Sequence, residues 1–245
     1  MIKKLAATLI LSVGLTLPSL AKDLTVGVTT TGVPFTFVDT ATQKPTGAMV
    51  DIAEAIAAEA GLTVKFELSA FSALIPALTT GKIDLISAGM FASEKRMEVV
   101  DFSTGVYTYG DAMFVAAADD TAYTLDMLKG ETVGAQVGTV FADKLNSLGI
   151  FSEVKQYDSL ADIMREVKLG RIKAGFGDKP IIAYQIAQNP DFGVRLVEGY
   201  TPMSEGTVAL AVAKDNPELL ETVNAALAKM SDSGELAKIF AKYGL

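Results

Sequence analysis

The chain has 245 residues, half of them hydrophobic, with 29 acidic against 21 basic residues and a net charge of −8 at pH 7. That acidity makes nucleic acid and anionic membrane surfaces poor partners. The sequence has no histidine and no cysteine, which excludes imidazole and thiol catalysis, zinc sites built on nitrogen or sulfur, and a disulfide framework. A carboxylate-only site for calcium or magnesium stays open, but no EF-hand-like run of acids is present and no cofactor is implied.

Lys3 and Lys4 precede an uncharged apolar run from Leu5 to Leu17, followed by Pro18 and Ser19-Leu20-Ala21. This is a basic start, an apolar stretch too short for a comfortable membrane span and a small-residue cleavage site. Residues 1–21 therefore read as a secretory signal removed after Ala21, leaving a periplasmic protein. Removal takes two positive charges and no negative one, deepening the net charge to −10.

Beyond the signal, the hydrophobic periods predict strands at Leu24–Thr29, Val64–Leu68 and Ile83–Ser87 and helices at Met49–Glu59 and Ala70–Thr79. A second set follows: strands at Ala112–Ala117, Thr132–Ala135, Glu153–Tyr157, Ala174–Phe176 and Val194–Val197, with helices at Leu125–Lys129, Thr139–Leu148, Ser159–Leu169 and Lys179–Gln188. The chain ends on a strand at Thr207–Ala213 and helices at Pro217–Lys229 and Gly234–Lys242, the first capped by Asn216 with Pro217 after it. The βαβ succession argues for two α/β units with mainly parallel sheets flanked by helices. No Ser/Gly linker separates them, so the connection falls to ordered strands near Tyr107–Asp111 and Pro202–Thr207, and a cleft between the units is the natural small-molecule site.

Several short stretches stand in a telling order: Leu24-Thr-Val-Gly27, Pro34-Phe35, Gly47-Ala-Met-Val-Asp51, Leu74-Ile-Pro-Ala-Leu78 with Gly81-Lys82-Ile83-Asp84, Arg96 with Asp101-Phe102-Ser103, Leu128-Lys-Gly130, Gln136-Val-Gly138-Thr139, and Gly170-Arg171-Ile172 leading to Asp178. In this order they resemble the type II periplasmic solute-binding proteins of the amino-acid branch, extracellular solute-binding protein family 3 of ABC importers. The resemblance implies a two-lobe fold with two hinge strands: residues 22–109 in lobe 1, 110–204 in lobe 2, and 205–245 returning to lobe 1. It also implies a zwitterionic ligand, a monomer and an inner-membrane ABC permease as partner. A soluble sensory receptor and a periplasmic cyclohexadienyl-type dehydratase, with Asp178 or Glu205 as proton donor, are the alternatives on the same fold.

Each candidate residue has a plain reading beside the functional one. Arg96 is a planar fork suited to a carboxylate, or a surface arginine beside Glu94 and Lys95. Thr139, after Gly138, opens a helix whose N–H groups favour an anion, or simply caps it. Asp178 before Lys179-Pro180 reads by itself as a helix cap. The resemblance assigns Arg96 to the ligand's carboxylate and Asp178 to its ammonium, and places Gln136 toward the ligand's side chain. Phe35, Phe71 and Phe91 read singly as core residues, whereas by resemblance they form an aromatic box like that of ectoine-binding receptors, with the Gly89 carbonyl beside it. Phe91 stands where amino-acid receptors usually carry Ser or Thr, and Gly32 where many that bind basic or amide side chains carry an aromatic and where an ectoine receptor carries an acid. The expected ligand class is an amino acid with a small or apolar side chain, with an ectoine-like zwitterion as its subclass.

Overall fold

The computed structural model describes residues 23–245, so the signal sequence and its cleavage point lie outside the described residues. Chain order begins with β1 (Asp23–Val28), then the short strands β2 (Thr31–Gly32), β3 (Thr36–Val38) and β4 (Pro45–Thr46), which form a small antiparallel sheet of their own. Helix α1 (Ala48–Ala60) buries Met49, Val50, Ile52, Ala53, Ile56 and Ala57 along one face. It starts at Gly47, whose φ of 130° and close approach to the Phe35 carbonyl leave no room for a side chain. It stops at Gly61, left-handed, whose N–H bonds back to the last turn.

Next come β5 (Thr63–Leu68), a 3-10 turn at Phe71–Ala73 running into α2 (Leu74–Thr79), β6 (Leu85–Ile86), α3 (Glu94–Met97) and β7 (Val100–Phe102). The expected helix at Ala70–Thr79 is thus split by geometry, its first turn being wound more tightly. β8 (Tyr107–Ala116) opens the second unit. It continues through β9 (Thr132–Gln136), α4 (Val140–Leu148), β10 (Glu153–Tyr157), α5 (Leu160–Lys168), β11 (Ala174–Asp178), α6 (Lys179–Gln188) and β12 (Val194–Leu196). The short helix expected at Leu125–Lys129 is a 3-10 turn over Leu125–Leu128. β13 (Glu205–Val208), β14 (Ala211–Ala213), α7 (Pro217–Asp232) and α8 (Glu235–Lys242) complete the chain.

Two five-strand paths carry the lobes. The first runs β5-β1-β6-β14-β7 and the second β10-β9-β11-β8-β12, each with one strand, β14 or β8, antiparallel to the others. β8 is the link between them, because its first half pairs antiparallel with β13, Tyr109 lying opposite Gly206. The predicted strand from Ala112 is therefore the second half of a ten-residue strand that begins in the hinge. The predicted strand Thr207–Ala213 is in fact two. Between them Ala209 bonds the Met90 carbonyl and Leu210 exchanges bonds with Ser103, so the backbone changes partners as it passes from hinge to lobe sheet.

Asn216 caps α7, accepting from Leu219 N, and Pro217 occupies the first turn as predicted. α7 and α8 pack on α1, with Lys229 paired to Glu59 and Lys242 to Asp51 at 2.6 Å. These exposed pairs contribute little. The apolar faces of the helices hold the end of the chain on the first lobe.

Candidate functional site

The end of β6 leads to Phe91 and Arg96, and local chemistry fixes both. Ser93 caps α3 by accepting from Arg96 N, which sets the arginine one turn into a very short helix. Phe91 pairs its backbone with Val208 of β13. The Arg96 side chain is buried. Its Nη1 donates to the Phe91 carbonyl at 2.8 Å and its Nη2 to the Gly138 carbonyl at 3.0 Å, and the guanidinium stands 5.4 Å above the Phe71 ring. The surface-arginine reading fails on that burial. Desolvation lowers the pKa of the guanidinium while Asp178, Asp143 and Tyr109 raise it; an arginine so placed stays charged.

Gly138 belongs to the second lobe, so the bond to it crosses the cleft. Lys95 meets Asp143 at 2.7 Å, Phe91 meets Phe141 edge-on at 5.6 Å, and Gly138 lies against Ser72, all between the same two lobes. The lobes are closed on one another.

Asp178 sits at the N-cap position of α6, but its side chain makes no capping bond. Its Oδ1 accepts instead from the Tyr109 hydroxyl at 2.5 Å. Burial pushes the Asp178 pKa up to about 6, Tyr109 and Arg96 pull it down, and Asp111, opposite it on β8, adds like-charge repulsion. Asp111 is itself buried, accepting from Tyr200 OH at 2.6 Å and Ser204 N at 2.8 Å, with a pKa raised first by burial.

The other predicted residues divide. Thr139 is the helix cap of the plain reading: Oγ accepts from Ala142 N and donates to the Gln136 carbonyl. Gln136 turns its amide to the Asp158 carbonyl at 2.9 Å within its own lobe. The three phenylalanines do not form one box. Phe35 has no exposed surface and stacks on Tyr109 at 5.7 Å with a 20° tilt, so it backs the cleft and does not wall it. Phe91 packs on Tyr109 at 4.7 Å, Phe71 lies across Arg96, and Gly89, with positive φ, touches the Phe35 ring.

The central ring is Tyr109, which sequence reasoning passed over. A signal was present, since a strand through Tyr107-Thr108-Tyr109 puts both tyrosines on one face, and both pack against Phe35. A cavity of about 460 Å³ lined by Tyr123, Leu125, Leu148 and Tyr200 lies on the second lobe and includes none of these residues.

Two α/β lobes joined by a two-strand hinge and closed over a buried arginine from one side and a carboxylate from the other define a ligand-capturing receptor. Residues 24–245 match the bacterial extracellular solute-binding proteins, family 3, and the chain belongs to that family. It is 32% identical over 222 residues to ABC transporter arginine-binding protein 1 of Escherichia coli (strain K12), covering 90% of each chain. Among solved structures, an ancestral arginine-binding protein bound to glutamine is 36% identical with a TM-score of 0.83, covering 91% of this chain and 98% of that one. The ancestral amino acid-binding protein AncCDT-1, a precursor of cyclohexadienyl dehydratase, is 30% identical with a TM-score of 0.79, covering 90% and 95%.

Proposed function

We propose that the protein is the periplasmic binding component of an ABC importer, capturing an amino acid or amino-acid-like zwitterion as a monomer and presenting it to an inner-membrane permease. The observation that carries this reading is a buried arginine, Arg96, with donor capacity to spare, and across the lobes a carboxylate, Asp178, that makes no capping bond and acts on the guanidinium through charge alone. The guanidinium fork takes the ligand's carboxylate and Asp178 its cation, so one molecule with both charges favours the closed state. Phe91, Tyr109 and Phe71 face that pair with rings. An aromatic setting of this kind suits a compact zwitterion, with ectoine as the non-standard candidate and a small or apolar side chain as the standard one.

Thermal unfolding of residues 22–245, stripped of ligand by unfolding and refolding, against the twenty amino acids, ectoine, hydroxyectoine and glycine betaine tests this directly. A ligand at a hundredfold its Kd adds about 2.7 kcal/mol and raises the midpoint clearly. No shift with any zwitterion would sink the reading, and turnover of a cyclohexadienyl acid would replace it with the dehydratase reading, for which Asp178 with a pKa of about 6 is the natural proton donor.

The raised pKa also sets a pH dependence. A ligand cation binds the ionised carboxyl, so as pH falls through about 6 the free protein takes up a proton that binding must expel. Affinity is expected to be flat above pH 7 and to fall toward tenfold per pH unit below about 6. Isothermal titration between pH 4.5 and 8 measures it, and a flat profile would remove Asp178 from the cation's partners.

Exchange of Phe91 for serine restores a hydroxyl five residues before Arg96 and removes a ring. The ranking of ligands in the same thermal assay is expected to move toward common L-amino acids. An unchanged ranking would make Phe91 a core residue only.

A further inference from the structure

The hinge strand β8 contributes to the cleft more than a connection. We propose that Tyr109 is a positioning residue for the binding site: its hydroxyl orients the Asp178 carboxylate and keeps it ionised for the ligand's cation, and its ring holds Phe91, whose carbonyl bears Arg96, in place. The inference rests on the zwitterion reading above and adds to it a residue outside the two charged groups.

Four observations carry it. The phenol of Tyr109 is the one side-chain donor to Asp178 among the described residues, and it engages a single oxygen, Oδ1. The ring itself is held rigidly: stacked on the fully buried Phe35 on one side, tilted against Phe91 on another, and flanked by Tyr107 at 6.0 Å. Directly across the ladder lies Gly206, and the space a side chain would take there is filled by the Phe91 ring. Phe91 then passes the constraint on, because its carbonyl accepts from Arg96 Nη1 at 2.8 Å. A single hinge residue is thus in contact with the group that holds the cation and one step from the group that holds the carboxylate.

The electrostatics work in the same direction. The charged groups that act on Asp178 are Arg96 from lobe 1 and Asp111 on β8, one lowering and one raising its pKa, and the Tyr109 hydrogen bond is the largest influence that offsets burial. A phenol that donates to a carboxylate favours the ionised form. Tyr109 pays for this by being the donor: burial and Asp178 together raise its own pKa far above the ordinary value, so it remains a neutral donor at every pH of interest.

Tyr109→Phe tests the proposal, since it keeps the ring and removes only the hydroxyl. The first readout is the carboxyl titration of Asp178 in the ligand-free protein, followed by carbon-13 NMR, with the resonance assigned from Asp178→Asn. Loss of a hydrogen bond to a charged group is expected to raise the Asp178 midpoint by about one unit. The second readout is the pH profile of affinity for whichever amino acid of the thermal panel gives the largest shift, with the acid limb expected to move upward by the same amount and affinity at pH 8 to change much less. A purely structural role would lower affinity equally at all pH and leave the Asp178 midpoint in place, and that result overturns the proposal. If the wild-type protein binds no member of the panel, the zwitterion reading fails first and is recognised separately, because the titration of Asp178 needs no ligand.

Discussion

Arg96→Ala is expected to abolish detectable ligand binding while leaving a folded protein. The guanidinium lies buried where two backbone carbonyls and one ring use only part of its donor fork, so the remaining N–H groups are the positive charge available to a carboxylate in the cleft. Truncating one partner of a buried, hydrogen-bonded charge pair costs about 2–5 kcal/mol, which is a loss of roughly thirty- to several-thousand-fold in Kd. Arg96→Lys keeps the charge without the planar fork and is expected to recover only a minor part. The free protein loses two charge-assisted bonds to backbone carbonyls, about 1.5–3 kcal/mol each, offset in part by relief of the buried charge, so its melting point is expected to fall as well. Isothermal titration beside a ligand-free melt separates the two effects. Normal binding by Arg96→Ala would refute the orientation proposed for the ligand, with the carboxylate on lobe 1.

The sequence by itself leaves Arg96 open between a carboxylate fork and a surface residue and reads Asp178 as a helix cap. The charged pair comes from the resemblance, and local motifs fix only the backbone positions, a capped four-residue helix after β6 and an Asp-Lys-Pro step at the end of β11. Strands and helices were legible because periodicity and caps are local. What was not legible depends on contacts across long chain separations. The break between β13 and β14 comes from Ser103 and Met90 supplying new partners to Leu210 and Ala209. Phe35 looked like a wall of the site until Tyr109, more than seventy positions later, was found to lie in front of it. Thr139 and Gln136 have polar side chains in the right region. The Thr139 cap is local and is one of its two sequence readings, whereas the one amide bond of Gln136, to the Asp158 carbonyl, depends on the fold as a whole and is not readable from neighbouring residues.

Gly206→Val is expected to destabilise the protein strongly, and the effect should be relieved by shrinking Phe91. A Cβ at position 206 would overlap the Phe91 ring, which has no free direction to move in: Tyr109 lies 4.7 Å away on one side and Phe141 5.6 Å on another. Overpacking of this kind costs typically about 1–3 kcal/mol. Phe91→Ala alone opens a cavity worth about 3–5 kcal/mol. Combined, the new valine occupies part of that cavity, so the double variant should be more stable than Phe91→Ala and show a coupling of about 1 kcal/mol or more in a double-mutant cycle. Denaturant melts of the four proteins measure it. Strict additivity would mean that the ring does not occupy the place of the missing side chain, and would detach Phe91 from the hinge. If the coupling is found, Phe91 and the glycine opposite Tyr109 act as one packing unit: the ring on the loop that carries Arg96 fills the space a side chain on the hinge strand would take.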